Sequence, residues 1–166
     1  MSASDSVRRS LNLSFDSGKS TFAKLQKRGA PYRFERWDED SDGELCLYYS
    51  FPSRDTLKLY TKRIPLVELV DALRECINTG YLTRDGFIRV CPKAQSAGEC
   101  GFAVTGRCLE LLGVAKYGGR GNGFILTDKD RASTLLSVSY MKTEELPGEL
   151  NRLICPNCLT ISVKDK

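Results

Sequence analysis

Aromatic and charged positions alternate in "YRFERW", and the later stretch "ELCLYYSF" is mostly apolar. In residues 32–60, the stretches "YRFERW" and "ELCLYYSF" are rich in residues that favour strands. The segment "DEDSDG" between them is typical of a tight turn. It also begins like a calcium loop, but Tyr49 stands where that loop needs a glutamate at its twelfth position. A β-hairpin is therefore predicted in the region 31–62.

Apolar residues recur every three or four positions further along, which predicts two amphipathic helices. The first covers "PLVELVDALRECINT" (65–79), with Gly80 as a natural end. The second covers "FAVTGRCLELLG" (102–113). Between them, "YLTRDGFIRV" is expected to be extended with a turn at Asp85-Gly86. The following "PKAQSAGECG" is at most a short helix.

Glycines are dense in "KYGGRGNGFILTDKDRA", which raises the question of a phosphate-binding loop. Four glycines fall within the six positions 118–123. A phosphate-binding loop leads from a strand directly into a helix, whereas here the strand-like "FIL" follows the glycines. We therefore predict a hairpin and no nucleotide site. A further helix is expected over 128–138, with Thr127 as its N-cap.

The order of helix, glycine stop, hairpin and helix in "LELLGVAKYGGRGNGFILTDKDRASTLL" resembles the winged helix-turn-helix family. The resemblance covers about residues 65–138. It implies an α+β fold with a winged-helix domain at 63–140, in which the helix at 102–113 is the recognition helix and the hairpin is the wing.

The resemblance also implies double-stranded DNA as a partner. A helix fits the major groove, where base edges carry sequence information, while contacts to phosphate position the protein. In this chain Thr105, Arg107 and Glu110 are expected to face the groove. On the wing, Lys116, Arg120 and Asn122 are expected to meet the DNA backbone or the minor groove.

Composition narrows the chemistry. The 166 residues carry a net charge of +4 and contain no histidine, so catalysis by an imidazole-activated nucleophile is excluded. Residues 1–30 pack little and are predicted to be a flexible basic arm. The chain shows neither an export signal nor a membrane span, so a cytoplasmic or nucleoid-associated protein is expected.

Seven cysteines in a chain without an export signal point to free thiols or metal ligands rather than disulfides. The spacing of Cys155 and Cys158 in "CPNC" matches one half of a tetrahedral zinc site. Cys91 and Cys100 could supply the other half. Residues 141–166 are accordingly predicted to be a C-terminal helix and a zinc-knuckle-like tail. A redox role for the Cys155–Cys158 pair is the alternative.

Three functions remain open at this point. The first is a DNA-binding transcription regulator, or an accessory factor of a mobile-element or defence system. The second is a winged-helix subunit that binds another protein in a larger assembly. The third is a metal-dependent nuclease that uses a cluster of acidic residues, Asp38, Asp40, Asp42 and Glu44. We expect the protein not to be an enzyme, because no lysine accompanies this cluster as nuclease motifs require.

Overall fold

The structure is a computed structural model that describes residues 2–25, 29–53, 56 and 58–137. These residues form an α+β fold of six helices and seven strands, which confirms the predicted class. In chain order the elements are α1 (Ala3–Asp16), β1 (Thr21–Phe22), β2 (Tyr32–Glu39), β3 (Leu45–Pro52), β4 (Leu59–Pro65), α2 (Leu66–Thr79), β5 (Tyr81–Leu82), α3 (Arg84–Val90), α4 (Pro92–Ser96), α5 (Cys100–Leu111), β6 (Ala115–Tyr117), β7 (Phe124–Leu126) and α6 (Lys129–Ser137).

The first sheet is antiparallel throughout and has the order β1-β2-β3-β4. The predicted hairpin is confirmed as the β2–β3 pair. Its turn is closed by Asp40, whose carboxylate accepts the amides of Asp42 and Glu44 at 2.9 and 3.0 Å. Gly43 has a positive φ of 76°, a conformation that glycine adopts without strain. The acidic segment is therefore a turn that closes on its own backbone.

The N-terminal segment is an ordered helix, so the prediction of a flexible arm is wrong for residues 3–16. Ser2 and Asp5 form a capping box that satisfies the first amides of α1. Val7, Leu11 and Phe15 follow at four-residue steps and are buried. These few apolar residues form a continuous stripe, which the surrounding serines and arginines obscure in the sequence.

Helix α2 confirms the helix predicted at 65–79. Its apolar face is buried, and Leu69 and Leu73 are 1% and 0% exposed. Gly80 ends the helix in the left-handed conformation with a φ of 85°.

The segment after α2 differs from the prediction. Residues 84–90 form helix α3, where an extended segment with a turn was expected. The Thr83 hydroxyl accepts the amide of Gly86 at 3.1 Å and so caps the helix. Phe87 then enters the core. The Asp-Gly pair thus lies in the first turn of a capped helix, where an acidic residue is favourable.

The second sheet has three antiparallel strands in the order β5-β7-β6. The predicted hairpin after α5 is confirmed, since β6 pairs with β7. Helix α6 begins one residue later than expected. Asp128, rather than Thr127, accepts the amide of Arg131 at 2.8 Å.

One cluster of buried side chains joins all parts of the described chain. It runs from Val7 in α1 through Leu47 in the first sheet to Leu135 in α6. Both sheets and all the long helices therefore share a single core, and no break in packing separates residues 31–62 from the segment that follows. Among the described helices, none has the length and apolar character needed to cross a bilayer.

Candidate nucleic-acid interface

The helix that was predicted to read DNA lies inside the fold. Eight of the residues of α5 are buried. Thr105 is 0% exposed, so the prediction that it faces outward is wrong. Its hydroxyl has no hydrogen-bond partner among the described residues. A base edge cannot reach this side chain while the fold is intact.

Arg107 and Glu110 are also turned to partners within the protein. Their side chains pair with each other and are only 20% and 23% exposed. The Arg107 guanidinium donates to the carbonyl of Ala23 at 3.0 Å. The Glu110 carboxylate accepts the amide of Tyr117 at 2.8 Å. The predicted role of both residues in the major groove is therefore not compatible with this arrangement.

Neighbouring elements cover α5 on the side expected to be open. It contacts β1 and α1, both from the N-terminal segment, and β6 from the hairpin. Ser14 of α1 donates to the Leu111 carbonyl at 3.4 Å. A Cβ placed on Gly106 would lie 1.9 Å from the Phe124 ring, so glycine is what allows β7 to approach this closely. The ordered N-terminal segment covers the face of α5 that was predicted to be exposed, which is the physical reason that this prediction was wrong.

The hairpin between β6 and β7, hereafter the wing (residues 115–126), remains accessible. Lys116 and Arg120 are exposed, and neither forms an ion pair with a described carboxylate. Asn122 is exposed, but its side-chain amide donates to the Gly118 carbonyl at 3.0 Å. Asn122 therefore helps to build the turn, while Lys116 and Arg120 have no anionic partner among the described residues.

The tip of the wing owes its shape to glycines. Gly119 and Gly121 have φ values of 94° and 92°, and a Cβ on either would meet nothing within 4 Å. Gly123 instead lies under β5, because a Cβ there would be 2.2 Å from the Leu82 carbonyl oxygen. Two of the glycines thus serve the turn and one serves packing. Arg120 stands between the two open ones.

The two proposed zinc ligands that the structure describes each have a protein partner. The Cys91 thiol donates to the Glu68 carbonyl at 3.3 Å, and burial raises its pKa far above the ordinary range. Cys100 accepts the Tyr49 hydroxyl at 3.3 Å. Among the described residues, both sulfur atoms therefore take part in hydrogen bonds of the fold.

Cys155 and Cys158 lie outside the described residues. Zinc binding by Cys91, Cys100, Cys155 and Cys158 therefore stays a prediction. Metal analysis by mass spectrometry of the purified chain and of a Cys155→Ser variant tests it. A zinc content of one equivalent that is lost in the variant would support the tail site.

The acidic cluster considered for a nuclease is occupied by protein partners. Asp38 pairs with Arg36 at 3.1 Å. The Lys93 ammonium contacts Asp42 at 3.4 Å and Glu44 at 2.8 Å. Within the described ranges, no group of three or more acidic or cysteine side chains is arranged to hold a metal ion. The carboxylates therefore work as hairpin and surface contacts in this structure.

A second group of cations was missed in the sequence. Lys58 immediately precedes β4, and Tyr60 and Lys62 lie within it. The three residues are two positions apart in the chain, so they lie on the same face of this extended segment. Phe51, opposite Tyr60 in the ladder, shares that face. Alternation of lysines with an aromatic residue in "KLYTK" was the available indication.

Comparison with known proteins gave no match to a protein-family model, to a curated sequence or to a solved structure.

Proposed function

We propose that the protein is a DNA-binding module of the winged-helix type that holds duplex DNA by its phosphates, through the wing, rather than by reading bases with α5. The observation that carries the proposal is the exposed wing tip, where Arg120 stands between two glycines and has no carboxylate partner among the described residues. Such a tip lets the protein backbone approach a phosphate chain closely.

The order of elements supports the winged-helix assignment. Helix α2, strand β5, helices α3 to α5 and the β6–β7 hairpin follow one another as in that family, and β7 lies between β5 and β6 in the sheet. The departure from the family pattern is the burial of α5 beneath the N-terminal helix and first strand.

Burial of α5 changes the kind of binding that we expect. Sequence is read by side chains that reach base edges, whereas phosphate contacts carry no direct sequence information. With Thr105 buried and Arg107 and Glu110 engaged internally, α5 does not offer these three side chains to the major groove. This favours an accessory factor that holds DNA over a regulator that selects a site.

The test is duplex binding measured against salt concentration, with a labelled duplex of mixed sequence and a second of unrelated sequence. Neutralising one phosphate contact changes the slope of log K against log salt by about 0.9. Arg120→Ala and Lys116→Ala are each expected to make the slope shallower by about that amount, equally for both duplexes. Lys129→Ala, which removes an exposed cation outside the wing, serves as the control. Unchanged slopes in both wing variants would reject the proposal.

A protein partner is the second candidate, and a specific surface favours it. Tyr81 and Ile125 face each other across the β5–β7 ladder, and both remain exposed, at 48% and 44%. An exposed apolar pair on a sheet is a common element of protein interfaces. Self-association is its simplest case. This function would be favoured if the protein did not bind duplex DNA and its mass in solution increased with protein concentration. Ile125→Lys should abolish that increase.

A further inference from the structure

We propose that the protein has a second binding surface, for single-stranded nucleic acid, on the first sheet. This surface, the aromatic–lysine patch, consists of six residues: Lys24, Tyr32, Phe51, Lys58, Tyr60 and Lys62. It lies on the side of the sheet that faces the core, at the end where β3 and β4 extend past the buried part of the ladder. The proposal is independent of the wing.

The sheet register creates the patch. Leu47 and Ile64 face each other near one end of β3 and β4, and both are buried. Moving along the same face, Tyr49 pairs with Lys62, and then Phe51 pairs with Tyr60. Exposure rises along this path, and Tyr60 keeps 44% of its surface exposed. The apolar face of the sheet thus continues as an aromatic surface beyond its packed half.

The rings are arranged as a platform. Phe51 and Tyr60 stack with centroids 6.0 Å apart and planes inclined by 28°. The Tyr32 ring meets the Phe51 ring edge-on, with centroids 5.6 Å apart. A planar base can continue such a stack, because every nucleobase has a π-face. Stacking on aromatic side chains is a principal way in which proteins hold unpaired bases.

The lysines surround these rings. The ammonium groups of Lys24, Lys58 and Lys62 lie 5.4, 5.9 and 5.6 Å from the centroids of Tyr32, Tyr60 and Phe51. None of the three ammonium groups pairs with a carboxylate of the described residues. Lys62 lies against Gly98, but the neighbouring Glu99 carboxylate pairs with Arg84 at 3.3 Å. Three cations without a carboxylate partner in the described part of the chain, set among aromatic rings, complement a phosphate chain with exposed bases.

The lysine positions do not block the rings. An ammonium at an exposed ring is held more weakly than a base that stacks on it. A base can therefore displace the ammonium from the ring face, and the flexible lysine then reaches the adjacent phosphate. Duplex DNA offers phosphates but no free base faces, so the patch discriminates in favour of single strands.

The experiment is fluorescence anisotropy with labelled oligo-dT and oligo-U of twenty nucleotides, and with a blunt duplex. Tyr60→Ala is expected to weaken binding of the single strands by about tenfold, while Tyr60→Phe, which keeps the ring, stays close to the parent. Lys58→Ala and Lys62→Ala should each make the salt slope for single strands shallower by about 0.7. Comparison of oligo-dT with oligo-U shows whether DNA or RNA is preferred.

Two exposed residues outside the patch provide matched controls. Tyr81→Ala removes a ring of similar exposure, and Lys19→Ala removes an exposed lysine. Both should bind single strands like the parent, and the duplex slope that tests the wing should be unchanged in the Tyr60 variants. Equal loss in Tyr81→Ala and Tyr60→Ala, or no loss in the lysine variants, would overturn the proposal. Polyglutamate carries negative charge but no rings. The proposal would therefore also be overturned if polyglutamate competed as well as oligo-dT at equal charge.

Discussion

Helix α5 and the wing are neighbours in the chain but lie in opposite environments. Nearly all of α5 is enclosed by other elements, whereas the tip of the wing stands clear of them. A glycine from each region shows this difference in environment. At Gly106 an added Cβ would meet the Phe124 ring at 1.9 Å, while at Gly119 it would meet nothing within 4 Å. A helix followed by a hairpin therefore does not by itself determine which of the two faces a ligand.

Gly106→Ala tests the enclosure of α5 most severely. Alanine is favoured over glycine in a helix by about 1 kcal/mol. Here the overlap with Phe124 should outweigh that gain, because overpacking a core costs about 1–3 kcal/mol or more. Because the overlap is severe, we take the upper end of that cost, about 3 kcal/mol, and subtract the gain. We therefore expect a net loss of about 2 kcal/mol in the free energy of unfolding, measured by urea denaturation.

Gly119→Ala is the matched change on the wing. The added methyl group meets no neighbour, but alanine must adopt a φ of 94°. That strain costs about 1–2 kcal/mol if the turn keeps its conformation, and less if the exposed tip relaxes. A larger loss at Gly119 than at Gly106 would reverse the comparison.

Arg107→Ala is the next largest effect. The guanidinium holds the partly buried Glu110 carboxylate and the exposed Ala23 carbonyl, so its removal leaves the Glu110 charge without its cation. We expect the free energy of unfolding to fall by about 1–2 kcal/mol, with no change in the ratio of affinities for two unrelated duplexes. Lys116→Ala, on the wing, should change stability by less than about 0.5 kcal/mol. A lost sequence preference in Arg107→Ala with unchanged stability would mean that α5 reads DNA.

Thr105→Val should make the protein more stable. Valine keeps the shape of the side chain and removes a buried hydroxyl that has no partner among the described residues. Such a group costs about 1–3 kcal/mol when left unsatisfied, so a gain of about 1 kcal/mol in thermal or urea denaturation is expected. Affinity for duplex DNA should be unchanged. Weaker DNA binding without added stability would place Thr105 at the interface after all.

The sequence was informative wherever local chemistry decides the structure. The apolar stripe of α2, the stop at Gly80 and the hairpin glycines each act within a few residues, and all three were predicted correctly. The direction that α5 faces depends instead on α1 and β1, which are about eighty to a hundred residues away in the chain. The periodicity of apolar residues distinguishes the apolar face of a helix from its polar face. It does not reveal that other elements of the fold also cover the polar face.

The candidate site shows the same limit. The wing cations could be placed from the glycine pattern alone. By contrast, the aromatic–lysine patch requires the register that sets Phe51 opposite Tyr60, and the approach of Lys24 from the segment that follows β1. Alternation along one strand indicated only Lys58, Tyr60 and Lys62.

Amide hydrogen exchange with and without a duplex tests the contrast between α5 and the wing most directly. In the free protein, the amides of residues 104–111 should exchange only on global unfolding, while those at the tip, 119–122, should exchange rapidly. Adding a duplex should slow exchange at the tip and leave the helix unchanged beyond the overall gain in stability. Fast exchange in the free helix that becomes slow only with DNA, together with an unaffected tip, would contradict the account.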